Sequence, residues 1–218
     1  MGMHFKDIKY FEEITDWLKY RKRIEDLNGL CICEIGDLWL RGDLHNYTVH
    51  RTARQYFESK GIDTTVIDLG IGQDKITEGT LQYDLTKPIP ESVGKFDFVV
   101  DFGTAEHIEN QYEFFKNIHN LCKVNGVIMM SNPSDKYSFR HPGKHHGLFH
   151  YTSIFYLKLA KLCNYEVLDV REMTQKYIIK IPYRKNFTYV TMIKLTDISF
   201  PPLDDFERIA VELGNYKT

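Results

Sequence analysis

Of the nine histidines in this chain, three stand where an imidazole could take a proton or hold an anion: His107, His146 and His150. Tyr151 follows His150 directly and offers a hydroxyl as hydrogen-bonding partner. His107 lies in Ala105-Glu106-His107-Ile108, just past a predicted strand, and is the first candidate for a general base. The same segment could serve only to fix the start of the next helix, an alternative that Glu106 shares. His146 and His150 belong to residues 139–151, FRHPGKHHGLFHY, a stretch rich in His and Tyr that its two glycines mark as a loop. Metal ligation by His145, His146 and His150 would lack any interleaved carboxylate or cysteine, so no metal site is assigned. A second group of residues could hold a nucleoside. Asp68 sits near the end of an apolar run, where a carboxylate can accept hydrogen bonds from both hydroxyls of a ribose; its plainer role is to cap a turn. Gly36, between Glu34 and Asp37, would let the backbone approach a ligand after the first strand.

These residues need a frame, and residues 96–133 supply its centre. FDFVVDF, residues 96–102, is too apolar for a half-solvated strand and too short for a long helix, so it reads as a strand buried on both faces, ended by Gly103 and Thr104. Asn110 with Glu113 three residues on is an N-cap pattern, and Phe114, Phe115, Ile118, Leu121 and Cys122 follow at helical spacing. Asn125 and Gly126 supply a left-handed stop before a second apolar run, 127–130, which Ser131, Asn132 and Pro133 break. Strand, helix and strand in about forty residues form a crossover unit, which implies a parallel sheet with helices on both faces.

The flanking chain extends that sheet. Residues 30–35, 65–69 and 81–84 read as the first three strands, and 48–60 as the helix between the first two, stopped by Gly61. Residues 5–27 place Ile8, Phe11, Ile14, Trp17 and Leu18 on one helical face, as a structural cap or as a lid over a cleft. Thr152 can cap a helix bearing Phe155, Leu159, Leu162 and Cys163. Residues 166–170 then read as a strand, 177–181 and 187–195 as a hairpin through the polar turn 183–186, and 204–207 as part of a last short helix. The fold class is α/β: a doubly wound, mostly parallel sheet flanked by helices, with antiparallel strands at the C-terminal end. The expected division is a helical cap over 1–29, the main domain over 30–197 and a tail over 198–218.

Phe96-Asp97 opening an apolar strand, Gly103-Thr104-Ala105-Glu106-His107-Ile108, a helix, Lys123-Val124-Asn125-Gly126-Val127 and a strand ending in Asn132-Pro133 come in an order that carries a resemblance. It resembles the second half of the class I S-adenosylmethionine-dependent methyltransferases, nearest to their small-molecule branch of types 11 and 12. More loosely the likeness runs from Leu30 to Leu195. It implies a Rossmann-like fold, S-adenosylmethionine as cofactor, and methyl transfer to an oxygen or nitrogen of a small polar metabolite such as a sugar or nucleotide-linked sugar precursor. It implies Asp68 and Leu69 at the ribose, and Asp84 and Leu85 at the adenine. Glu34, Gly36 and Asp37 would form the loop after the first strand, with Phe102 and Gly103 at the end of the fourth. Where the family continues with further glycines, this chain has Leu38, Trp39 and Leu40. Either the loop is reshaped, with Arg41-Gly42-Asp43 helping, or the site has decayed and no longer binds cofactor, which would suit a non-catalytic binding or scaffold subunit. A nucleotide-binding oxidoreductase is a third reading. The spacing of Asp68, Asp84 and Asp97, and the missing G-x-G-x-x-G, weigh against it.

Composition sets the outer bounds. With 218 residues, 43% hydrophobic and 27% charged, the chain is long and apolar enough for one domain with a sizeable core and is not of disordered composition. A net charge of -2 gives no general attraction to phosphate backbones or anionic lipid, so neither nucleic acid nor membrane is an expected partner, and a homodimer is left open. No run approaches the roughly eighteen apolar residues of a membrane span, and the N-terminus lacks the apolar core of a signal peptide, so a cytoplasmic protein is expected. Cys31, Cys33, Cys122 and Cys163 lie in apolar segments with no C-x-x-C pair and read as small buried hydrophobes.

Overall fold

Seven strands form one sheet at the centre of the computed structural model, which describes residues 2–40, 48–70, 77–134, 139–141, 144–145, 147–176 and 184–215. The strands are β1 (Cys31–Ile35), β2 (Asp63–Asp68), β3 (Leu81–Gln82), β4 (Phe96–Phe102), β5 (Cys122–Pro133), β6 (Tyr165–Lys176) and β7 (Arg184–Lys194). Their spatial order is β6-β7-β5-β4-β1-β2-β3. β3, β2, β1, β4 and β5 run parallel, while β7 pairs antiparallel with both β5 and β6. The order reverses between β1 and β4, and in such sheets the crevice beyond the C-terminal strand ends at the reversal is where ligands bind.

The two-residue period of the strands divides the core. Cys33, Ile35, Val99, Ile128 and Met130 face α3 (Gln111–Leu121) and α4 (Ser153–Leu162), meeting Phe114, Phe115, Ile118, Phe155 and Leu159. Ile32, Phe98, Val100 and Met129 face the other way, against α1 (Phe5–Tyr20) and α2 (Ala53–Ser59), where Ile8, Phe11, Ile14 and Phe57 close the second cluster. A fifth helix, α5 (Leu203–Ala210), buries Phe206 against Phe115 and Phe155.

α1 is tied to the sheet by its first turn. Asp7 accepts from the His4 amide at 2.6 Å, closing the capping box, and from Tyr189 Oη at 2.6 Å and Ser131 Oγ at 3.2 Å. Burial pushes the Asp7 carboxyl up to about 6 against the opposing pull of those donors. Ahead of α1, Gly2–Met3 pairs in parallel with Trp39–Leu40, the segment just past β1. Trp17 leaves the buried face of α1 and is 37% exposed.

Several boundaries differ from the sequence pattern for identifiable reasons. α2 starts only at Ala53, because the Thr52 side chain accepts from the Gln55 amide and caps it there. α3 ends at Leu121, and Asn125, at φ +62, lies inside β5 instead of stopping the helix. The register steps from Phe96↔Cys122 to Phe98↔Val127, so the left-handed residue makes a bulge in a strand. β5 runs on through Pro133 because β7 pairs with it up to Phe187. The C-terminal hairpin forms between β6 and β7, with Lys176 opposite Arg184, so the turn expected at 183–186 is not where the chain reverses. The strand expected at 177–181 lies outside the described residues.

Candidate functional site

Three carboxylates gather past the ends of β1 and β2. Gly36, at φ +84, turns the chain out of β1 while its amide still reaches Ile67 O at 2.8 Å. That turn brings the Asp37 amide 2.8 Å from Asp68 Oδ2, and the Gly70 amide lies 2.5 Å from Asp68 Oδ1. The Thr77 amide donates to Asp37 Oδ2 at 2.6 Å. Glu34 Oε1 accepts from the Leu38 amide at 2.8 Å. Burial drives the Glu34 carboxyl up to about 8; the Leu38 amide pulls it down, and Asp37 and Asp68 push it further up.

The expected glycines after Gly36 are replaced by an anchor. Leu38 is fully buried in the cluster beneath α1 and α2, a burial that contributes about 2 kcal/mol. Beyond it the chain runs extended against Gly2–Met3. The N-terminal segment thus braces the chain just past β1; Arg41, Gly42 and Asp43 lie outside the described residues.

The geometry fits a ligand bearing hydroxyls and positive charge. Glu34 Oε2 is buried and has no hydrogen-bond partner among the described residues, a deficit that a polar atom of a ligand would relieve. Asp68 accepts from the Asp37 and Gly70 amides at the crevice end of β2, the place where a carboxylate can meet a ribose. Leu69, 42% exposed, lies at the rim. Asp84, on the far side of β2, accepts from the Thr86 hydroxyl at 2.6 Å and the Thr86 amide at 3.0 Å, and pairs with Lys87 at 3.1 Å; these partners hold its carboxyl below the usual range. Leu85 is buried, and its carbonyl accepts from Asn117 Nδ2. Phe102 packs into the α1 cluster, and Gly103 follows at φ +95.

A second polar cluster, which the sequence pattern did not single out, closes the other side of the reversal. Asp97, which opens β4 as its place in Phe96-Asp97 implies, lies at the end away from the crevice, bound to the Cys31 amide at 2.9 Å and Lys123 Nζ at 3.0 Å. Residues 97, 99 and 101 share one face of β4, so the acid that reaches the crevice end is Asp101. Its signal was a charge inside an otherwise apolar buried run. Asp101 accepts from the Thr104 amide at 2.8 Å, the Ala105 amide at 3.3 Å and Asn132 Nδ2 at 2.8 Å. Burial, and secondly the neighbouring Glu106, push its carboxyl up to about 7.

This cluster holds the turn 104–108, which carries His107. Gln111 Nε2 donates to Ala105 O at 2.9 Å and Ile108 O at 2.6 Å. Tyr151, fully buried, donates to Gln111 Oε1 at 2.9 Å, so its hydroxyl supports the turn and does not reach out to a ligand. His107 remains 37% exposed in its side chain, with Nε2 3.9 Å from Glu106 Oε1. His150 is partly buried in the short strand Phe149–Tyr151, which pairs with Leu213–Asn215 and packs against the 105–107 turn. His146 lies outside the described residues.

The profile of a family described as a methyltransferase domain matches residues 46–130. No curated protein matches the chain in sequence. Among solved structures, 1,6-didemethyltoxoflavin-N1-methyltransferase of Burkholderia thailandensis, crystallised with 1,6-didemethyltoxoflavin and S-adenosylhomocysteine, is similar at TM-score 0.53 and 14% identity, over 84% of this chain and 76% of that one. An S-adenosylmethionine-dependent methyltransferase of Mesorhizobium loti is similar at TM-score 0.52 and 16% identity, over 82% of this chain and 97% of that one. TehB of Haemophilus influenzae matches at TM-score 0.53 and 15% identity, over 82% of this chain and 61% of that one. At these identities the likeness is one of fold.

Proposed function

We propose that this chain, whose residues 46–130 match a methyltransferase-domain profile, binds S-adenosylmethionine and transfers its methyl group to an oxygen or nitrogen of a small polar metabolite. The observation that carries this reading is the convergence of Glu34, Asp37 and Asp68 past β1 and β2, with a buried Glu34 oxygen that no described donor reaches. When bound, the cofactor supplies an electrophilic methyl group on a sulfonium. The chain's own residues do the rest. Asp68 holds the ribose hydroxyls, and Asp84 with Leu85 flanks the adenine. Glu34, Gly36 and Asp37 face the charged end, alongside Phe102 and Gly103. His107 takes the acceptor's proton; His150, whose strand packs against the same turn, is the next candidate, and His146 a further one from the sequence. Much of the rate gain in such an in-line transfer comes from positioning, so no nucleophilic triad is needed.

Sugars and nucleotide-linked sugars are the first acceptors to test, on the support of the near-neutral net charge of -2 and the histidine-bearing rim. A cytoplasmic setting agrees with four free cysteines, three of them buried. Isothermal titration with S-adenosylmethionine, S-adenosylhomocysteine and NAD tests the reading. Binding of the first two supports it. Silence with all three favours a non-catalytic scaffold, and heat with NAD alone favours an oxidoreductase. Asp68→Ala is expected to weaken cofactor binding by about 1 to 3 kcal/mol. An unchanged dissociation constant would remove the ribose assignment.

A further inference from the structure

We propose that Glu106 is the positioning residue for His107, and that the Asp101–Asn132 pair holds Glu106 to that task. The inference rests on the methyl-transfer reading, in which His107 is the base. Glu106 Oε1 lies 3.9 Å from His107 Nε2, and the carboxylate is fully buried while the ring is partly exposed. An acid on that side favours the tautomer with its proton on Nε2. The lone pair on Nδ1 is then left to accept a proton, and the imidazolium that forms is stabilised.

Glu106 is constrained from several directions. Its Oε2 lies 3.3 Å from Asn132 Nδ2, and its carbonyl accepts from the Leu148 amide at 2.5 Å. Gly147 crosses so close that a Cβ there would lie 2.6 Å from Glu106 Cγ and 2.8 Å from its Cβ. Asn132 is fixed in turn, because Nδ2 also donates to Asp101 and Oδ1 accepts from Tyr156 Oη at 2.5 Å. Among the described residues, the titratable groups facing the Glu106–His107 pair are Asp101 from β4, Tyr156 from α4, and Tyr151 and His150 from the strand Phe149–Tyr151. Burial and the neighbouring Glu106 raise the proton affinity of Asp101, and the two acids share one donor, Asn132 Nδ2.

The test uses the full chain without cofactor, labelled with 15N-histidine, with His107→Gln to assign the His107 signals. In the wild type the neutral ring is expected as the Nε2–H tautomer. Glu106→Gln is expected to lower the His107 titration midpoint by about half a unit or more, a solvent-screened fraction of the effect of an adjacent opposite charge. Asn132→Ala shifts the midpoint the same way, and Glu106→Asp restores part of it. In turnover assays Glu106→Gln lowers kcat with little change in the KM for S-adenosylmethionine and moves the lower limb of the pH profile. An unchanged midpoint and tautomer in Glu106→Gln overturns the proposal. Should that variant not fold, a wild-type ring protonated on Nδ1 overturns it instead. Titration calorimetry with S-adenosylmethionine on the wild type keeps the two readings apart. Absent binding with intact coupling removes methyl transfer alone, and intact binding without coupling removes the role of Glu106 alone.

Discussion

Asn132 donates its side-chain amide to Asp101 at 2.8 Å, joining the ends of β5 and β4 on the face that α3 and α4 cover. The same nitrogen reaches Glu106 at 3.3 Å and the carbonyl of that amide receives Tyr156, so one neutral side chain keeps two buried acids and a phenol in register. Polar groups this deep are stable only while their partners remain.

Asn132→Ala is therefore expected to destabilise the protein by about 2 to 4 kcal/mol, since it removes a donor from two buried acids and the acceptor of the buried Tyr156 hydroxyl. Urea denaturation followed by circular dichroism measures it. A loss no larger than that of an exposed surface substitution would mean the cluster is held by other contacts.

Gly147 has φ +89, and a side chain there would strike Glu106. Gly147→Ala combines backbone strain with a steric clash, and we expect a loss of about 2 to 3 kcal/mol. Thermal melts give the loss, and 15N-histidine spectra should show the His107 signal displaced in the folded protein.

Glu34 sets a pH dependence whose sign follows from its raised proton affinity. The folded carboxyl titrates at about 8 against an ordinary 4.5, so the folded state binds the proton more tightly than the unfolded state. Its contribution to stability is complete below the ordinary value and is lost as pH rises through about 8. Glu34→Gln carries no such proton, so the stability of the wild type relative to this variant should fall by a few kcal/mol, at about 1.4 kcal/mol per unit of pH, across that window. Urea midpoints for both proteins across the weakly acid to alkaline range test this, and parallel curves would show that Glu34 is not buried as described.

Tyr189→Phe removes the hydroxyl that donates to Asp7 at 2.6 Å while Ser131 and the His4 amide remain. The expected loss is about 1 kcal/mol. It should appear as faster amide hydrogen exchange in the first turns of α1, with α4 unaffected. Equal acceleration in both helices would mean that Asp7 does not anchor α1 locally.

Much of the frame was legible because local chemistry dictated it. The doubly apolar run at 96–102, the Asn110 cap and the helical spacing of Phe114, Phe115, Ile118 and Leu121 are properties of contiguous residues, and the structure has them as β4 and α3. Asn125 shows the limit: a residue with positive φ suits a helix stop or a strand bulge equally, and only the pairing of β5 with β4 selects the bulge. The long β6–β7 hairpin likewise depends on which partner a strand finds, which no window of sequence contains.

For the site, the sequence by itself determined which groups were available: Asp68 at the end of a strand, Gly36 at the end of another, Glu106 and His107 in the turn after β4. Only the tertiary structure decided which of them meet. It brought the amides of Asp37 and Gly70 to Asp68, sent Leu38 into the core where glycines were expected, and joined Asp101 to Asn132, 31 residues away. The physical reason is that burial and hydrogen-bond partnership are set by neighbours distant along the chain. They govern how tightly a carboxyl holds its proton, and so where charge can stand beside His107.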